Sequence, residues 1–397
     1  TAMRPTLRDA PICVRRRRAW QTAADRISPL GTVRRLIARP VAEAWLLSSA
    51  RFWFGIAVTA VFLGLLVLRF DFAEMREALA DANYAYLIPA IIIYYGSLWF
   101  RSLRWSYVLR PFVATRTHRL FPVVMVGYMA NNVLPMRLGE LARSYYLSTR
   151  EDVRGSTALA TIIIERVFDG LTLLLFLAAA AFFLPVTGLA ERVSDSASLP
   201  LGIVATIVIA PFLGVLSTMV LAALYPEIFL KWAKRFSRLV PAKYRESSLG
   251  LAVRFLAGFE GLHRPGRLFT VLALSIPIWL IEATMYYLVA LGFDLQDQFD
   301  SLALMIAAML VLTSMSNLAT SIPSSQGSVG PFEFFAFLSL VFLGVSSGVA
   351  SAYAVVLHLA LLLPVIATGF LHLAIHSVSL SELTRKRPEI EPAGEEH

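Results

Sequence analysis

Apolar residues in this chain come in long unbroken runs, not in the narrow stripes of a soluble fold. Runs at 52–70, 84–100, 156–184, 201–224, 268–291 and 349–376 meet or exceed the roughly 17 residues with which a helix crosses a hydrocarbon core of about 30 Å. They are too long and too uniformly apolar for barrel strands, so helices are the predicted elements. Two further apolar stretches, 120–148 and 302–345, contain helix breakers. These are Asn131, Asn132, Pro135 and Gly139 in the first, and Asn317, Pro323, Gly327, Gly330 and Pro331 in the second. Breakers inside a membrane free backbone groups that only protein or a wet cavity can satisfy. Each stretch is therefore predicted to be a broken or re-entrant helix pair.

Charge between the runs assigns the sides. Segment 101–119 carries Arg101, Arg104, Arg110, Arg116 and Arg119 without an acid, and 225–267 is rich in Lys and Arg, so both read as cytoplasmic loops. Segments 71–83, 185–200 and 292–300 are acidic or poor in bases and read as external. Stretch 120–148 then enters and leaves from the cytoplasm, and 302–345 from outside. The predicted fold is an all-α polytopic membrane protein with an inverted-topology repeat, each half holding three spans and one broken or re-entrant pair. The expected organisation is a basic cytoplasmic arm 1–51, a first membrane half 52–184, an external loop 185–200, a second half 201–376 and a cytoplasmic tail 377–397. Within the connector 225–267, Phe229, Trp232, Ala233, Phe236 and Val240 at helical spacing among lysines and arginines predict an interfacial helix on the cytoplasmic leaflet.

Composition agrees: of 397 residues 57% are hydrophobic and 16% charged, against about 45–50% and 25% in soluble domains. The net charge of +9 gathers beside the apolar runs, which points to topology and not to nucleic acid. The arginine-rich arm precedes a full span and has no small-residue cleavage site, unlike a cleavable signal peptide. Cys13 is the single cysteine, which leaves no intramolecular disulfide and no thiol pair. The expected location is a bacterial inner membrane with both termini cytoplasmic.

Candidate chemistry lies where charge meets the bilayer. Glu165, Arg166 and Asp169 fall about 15 Å into the third run, where each charge costs at least about 2.5–3.5 kcal/mol. They must face one another or a wet cavity. Glu165 and Asp169 share a helix face, and Arg166 reaches Asp169 one turn on. Glu282 and His358 lie at similar depth in later spans. A half-helix beginning inside the membrane offers free N–H groups to a phosphate or carboxylate. Pro135 to Glu140, reinforced by Arg137 and Arg143, forms one such start, and Ser324, Ser325, Gln326, Gly327 and Gly330 before Glu333 form its counterpart. The candidate headgroup-binding set is thus Asn131, Asn132, Arg137, Glu140, Arg143, Glu165, Arg166, Asp169, Glu282, Asn317, Ser324, Ser325, Gln326, Glu333 and His358. The competing reading is a structural ion-pair cluster that holds the bundle together. The sequence has no phosphate-binding loop, zinc motif, nucleophile elbow or dinucleotide fingerprint, so no metal, cofactor or ATP-driven pumping is expected.

Three segments, Gly127-Tyr-Met-Ala-Asn-Asn-Val-Leu-Pro-Met-Arg-Leu-Gly-Glu-Leu-Ala-Arg143, Glu165-Arg-Val-Phe-Asp169 and Pro323-Ser-Ser-Gln-Gly-Ser-Val-Gly-Pro-Phe-Glu333, in this order resemble the membrane domain of the lysylphosphatidylglycerol synthase/flippase family. The resemblance covers about 52–376. It implies translocation of lipids such as aminoacylated phosphatidylglycerol or, in other branches, an association with lipid-linked sugars or hopanoids. The bifunctional members carry a soluble aminoacyl-transferase domain after the membrane part. Here about twenty polar residues follow the last span, so lipid synthesis is not expected. His358 stands where many relatives lead one to expect arginine. The expectation is a flippase or lipid-linked substrate transporter, not an enzyme, partnered by membrane phospholipids, with self-association left open. Two alternatives remain: a lipid-modifying transferase using Glu140 or Glu165 as general base, or a non-transporting membrane partner of a glycosyltransferase.

Overall fold

The computed structural model describes residues 50–134, 138–151, 153–187, 225–238, 265–322 and 324–376, with isolated positions between 214 and 253. Residues 1–49 of the expected arm 1–51, the expected tail 377–397 and most of the predicted span 201–224 lie outside the described residues. Every regular element among the described residues is a helix.

Helix α1 (Ala50–Val67) turns by 89° into α2 (Phe72–Asp81), at a corner where the Asp71 carboxylate accepts the Ala73 and Glu74 N–H groups and so caps α2. A short 3-10 turn, Tyr84–Tyr86, capped by Asn83, leads into α3 (Leu87–Leu109). The first interrupted stretch forms α4 (Thr117–Val133) and α5 (Gly139–Arg150), and α6 (Gly155–Thr187) follows. Beyond lie α7 (Pro226–Ser237) and α8 (Pro265–Gly292). The second interrupted stretch forms α9 (Leu302–Ala319), a 3-10 turn (Gln326–Ser328) and α10 (Pro331–Phe342), and α11 (Ser347–Ile375) completes the described chain.

Helices α8, α9 and α11 are each long and apolar enough to cross a membrane, and α1 with α2 meets the same measure as a bent pair. At 12 residues each, α5 and α10 reach only about 18 Å, too short to cross alone. They pack back against α4 and α9 respectively. One expectation is corrected: of segment 101–119 only 110–116 is a loop. Helix α3 continues to Leu109, and Arg101 and Arg104 are 4% and 1% exposed, so these arginines belong to the protein interior.

Small residues set how closely the helices approach. A Cβ on Gly139 would run into the Asn131 nitrogen and the Gly127 carbonyl oxygen, and one on Gly127 would meet Arg143 Cβ at 2.8 Å. The α4/α5 pair therefore closes through backbone contact, which seats Arg143 against α4. Gly139→Ala is expected to lower stability by about 1–3 kcal/mol, because backbone atoms cannot step aside. Gly64→Ala, whose Cβ would meet nothing within 4 Å, should be neutral or mildly stabilising. Thermal unfolding of both variants in one detergent checks this, and equal midpoints would contradict it.

Candidate functional site

The polar residues of α3, α5, α6 and α8 converge on one buried network. Arg101 bridges Glu282 on α8, at 2.7 Å, and Asp169 on α6, at 3.5 Å. Arg104 reaches Asp169 at 2.8 Å and donates to Ser275 Oγ at 2.7 Å, with Glu165 3.7 Å from its Nε. Arg143 on α5 lies 2.8 Å from Glu165, and Arg166 pairs with Glu140 at 3.0 Å and Asp169 at 3.5 Å. Asp169 is the hub: three guanidinium groups surround it, and the Trp279 indole N–H donates to it at 3.2 Å. Aromatic faces complete the shell, with Arg143 3.7 Å from the Trp105 ring centroid, Arg101 4.5 Å from that of Trp279, and Tyr128 beside both Arg101 and Arg166.

The network pairs four guanidinium groups with Glu140, Glu165, Asp169 and Glu282. This balance is what a low-dielectric interior demands, since an unmatched charge there is far costlier than a matched pair. Exposure falls from the rim inward: the Arg166 and Glu140 side chains are 34% and 25% exposed, whereas those of Arg104 and Glu165 are 1% and 3%. The match in charge is not a match in hydrogen bonds. Among the described residues Arg143 Nε and Nη2 are buried without a hydrogen-bond partner, so beyond its 2.8 Å Nη1 contact to Glu165 this guanidinium leaves donors unused. Asn131 Oδ1, at the end of α4, is likewise unpartnered.

A second polar centre surrounds the later break. Glu333 folds back to accept the Gly330 N–H at 2.7 Å, and its other oxygen lies 2.6 Å from His358 Nδ1. His358 Nε2 lies 3.0 Å from the Gly327 carbonyl, and the Phe332 ring stacks on the imidazole at 4.3 Å. Both imidazole nitrogens thus face oxygen. The expectation of an open anion site at the start of α10 is corrected here, because Glu333 already occupies that helix terminus. Gly330 has φ +97°, and a Cβ there would sit 3.1 Å from the Thr59 carbonyl, so glycine allows α1 to press on the break. Thr59 Oγ1 donates to the Val329 carbonyl at 2.9 Å and accepts the Ser325 N–H at 3.0 Å.

The two centres meet through α4. One part of it holds Gly127 against Arg143, and its end brings the Asn132 carbonyl to 3.6 Å from the Cβ position of Gly327. Of the sequence-derived candidates, Glu140, Arg143, Glu165, Arg166, Asp169 and Glu282 fall in the ion network, and Glu333 and His358 in the second centre. Asn317 donates to Tyr286 Oη at 2.8 Å and so braces α8 against α9. Ser324 and Ser325 sit under α1, Gln326 opens the 3-10 turn, and Arg137 lies outside the described residues. Sequence reasoning missed Arg101, Arg104, Trp105, Tyr128, Ser275 and Trp279. A cleft of about 320 Å³ lies elsewhere, lined by Glu74, Glu77, Asp81, Gly292 and Asp294, roughly 15 Å along α8 from Glu282. Of the two environments expected for these charges, one another or a wet cavity, the structure shows them facing one another.

Residues 52–369 match the family described as the lysylphosphatidylglycerol synthase TM region. The chain belongs to this family. With its apolar helices, that membership makes it a multi-pass membrane protein with a lipid-related setting. It is 25% identical over 342 residues to a UPF0104 membrane protein of Methanothermobacter thermautotrophicus, covering 82% of this chain and 96% of that relative. It is also 25% identical over 299 residues to a protein of Haloferax volcanii named Glycosyltransferase AglD, covering 70% of this chain. There the chain spans only about half the relative, 47% of its length. A shorter match, 29% identical over 118 residues, links it to UPF0104 membrane protein MJ1595 of Methanocaldococcus jannaschii. No solved structure matches. The sequence segments that resemble the lysylphosphatidylglycerol synthase family supply the end of α4, the start of α5, part of α6 and the loop into α10, which together with α3, α8 and α11 build the two polar centres.

Proposed function

We propose that this protein is a lipid flippase or lipid-linked substrate transporter of the cell membrane, its basic ends cytoplasmic, moving a headgroup of the aminoacylated-phospholipid or glycolipid type. The observation that carries this reading is Arg143: a buried guanidinium beside a helix break, paired in charge with Glu165 but with two nitrogens unpartnered among the described residues. A phosphate oxygen accepting from those nitrogens gains charge-assisted bonds that Glu165 does not supply. Glu165, released, is then available to a cationic or hydroxylated part of the headgroup. The rim pair Arg166 and Glu140 is the accessible entry, and acyl chains stay in lipid. The paired lengths of α4/α5 and α9/α10, 17 and 12 against 18 and 12 residues, support two oppositely oriented repeats that rock about this site. Transport requires different affinity in the inward- and outward-open states.

The experiment is translocation of fluorescent phosphatidylglycerol and of an aminoacylated analogue in proteoliposomes, read by chemical quenching of the outer leaflet. Lipid movement above protein-free vesicles is expected. No movement, together with chemical turnover of a headgroup by purified protein, would instead favour a lipid-modifying transferase. The similarity to a relative named as a glycosyltransferase is the specific reason to keep that second reading.

A further inference from the structure

Helix α7 plays no part in either polar centre, yet its sequence is sharply two-sided. Tyr225, Ile228, Trp232 and Phe236 recur every three or four residues and so share one face. They are 43–57% exposed. Single exposed apolar side chains are ordinary, whereas a continuous line of four marks a surface that something covers. Trp232 and Phe236 stack with centroids 5.7 Å apart, which makes the line one contiguous apolar ridge. Beside it, one turn apart, lie Lys231 and Arg235. Arg238 and Lys234 continue the exposed basic face around the helix. The helix is also well terminated. Pro226 and Glu227 open it, Lys234 and Arg235 fill its last turn, and the Arg245 guanidinium donates to the Ser237 and Arg238 carbonyls at 3.2 and 3.3 Å. At 12 residues it reaches about 18 Å, too short to span a bilayer.

We propose that α7 is a peripheral docking element for the anionic phospholipid of the cytoplasmic leaflet: the Ile228–Trp232–Phe236 line enters the headgroup boundary, and Lys231, Arg235 and Arg238 contact lipid phosphates. The occupant follows from chemistry. An aromatic ridge flanked by lysine and arginine matches the apolar interior and negative surface of a leaflet. In sequence the helix lies between the apolar run 201–224 and α8, which tethers it to the membrane. Docking of α7 then depends on membrane charge, independently of what the transport site carries.

The test uses the full chain with Cys13→Ser and a single new cysteine, Phe236→Cys or Lys234→Cys, each bearing a polarity-sensitive fluorophore. Vesicles of phosphatidylcholine alone are compared with vesicles containing phosphatidylglycerol, and a water-soluble quencher reads exposure. The label at 236 should become blue-shifted and protected when phosphatidylglycerol is present, while the label at 234, across the helix, stays quenchable. Lys231→Gln with Arg235→Gln should weaken docking by about fivefold per charge, and added salt should do the same. Equal protection at 236 and 234, or protection at 236 indifferent to lipid charge, would overturn the proposal. So would protection at 236 that persists in detergent and rises with protein concentration, because a second copy of the chain would then be the occupant.

Discussion

Replacing Asp169 with asparagine is expected to destabilise the protein by about 3–5 kcal/mol, the range for removing one partner from a buried ion pair. The substitution keeps the shape and removes only charge. Arg101, Arg104 and Arg166 all lean on this carboxylate, and Arg104 approaches it at 2.8 Å. Without it the network holds four guanidinium groups against three carboxylates in a place where water does not compensate. The amide would also offer an N–H toward groups that only donate, which adds an unsatisfied contact. Glu140→Gln, at the rim, removes the same unit of charge but should change stability by about 1 kcal/mol or less, because solvent screens a pair this exposed. Unfolding of both variants in one detergent separates the cases. Similar losses for the two would mean that burial does not govern the energetics of the network.

The second large effect concerns lipid movement. Arg143→Lys should preserve the fold, since the charge facing Glu165 survives. It should nevertheless slow translocation by about ten- to hundredfold, the equivalent of one charge-assisted hydrogen bond at about 1.5–3 kcal/mol. An ammonium group is a compact point charge. It cannot present a planar fork to a phosphate or lie flat on Trp105, where the guanidinium carbon sits 3.7 Å from the ring centroid. Translocation per reconstituted molecule, with unfolding midpoints measured alongside, reads the two consequences apart. A lysine variant that moves lipid at the parental rate would place Arg143 among the structural residues.

Much of this was legible in the chain, and the failures have physical causes. Charged side chains at membrane depth announced Glu165, Arg166, Asp169 and Glu282, because insertion penalties leave them few places to go. Breaker residues announced the ends of α4 and the loop into α10, since each frees backbone groups that must be satisfied locally. Arg101 and Arg104 were misread as a cytoplasmic loop because they follow an apolar run already long enough to span, and arginines after such a run usually mark its exit. A signal to the contrary was present: Leu98, Arg101, Ser102 and Trp105 continue the helical spacing, and Leu109 extends it. Glu333 was read as a ligand for a substrate, but its spacing from Gly330 equally suits a carboxylate that folds back on its own helix start. The aromatic shell of Trp105, Tyr128 and Trp279 carried no sequence signal, since aromatics are common in any membrane helix.

The measurement that bears most directly on the account is lipid translocation by the double variant Glu165→Gln, Arg166→Gln beside the parental protein in identical proteoliposomes. One acid and one base are removed together, so the network keeps its net charge although Arg143 and Glu140 each lose a partner, and the unfolding midpoint of the double variant is measured alongside to establish that it is folded. The expected result is a folded protein that no longer moves lipid. A folded double variant that scrambles lipid as fast as its parent would contradict it.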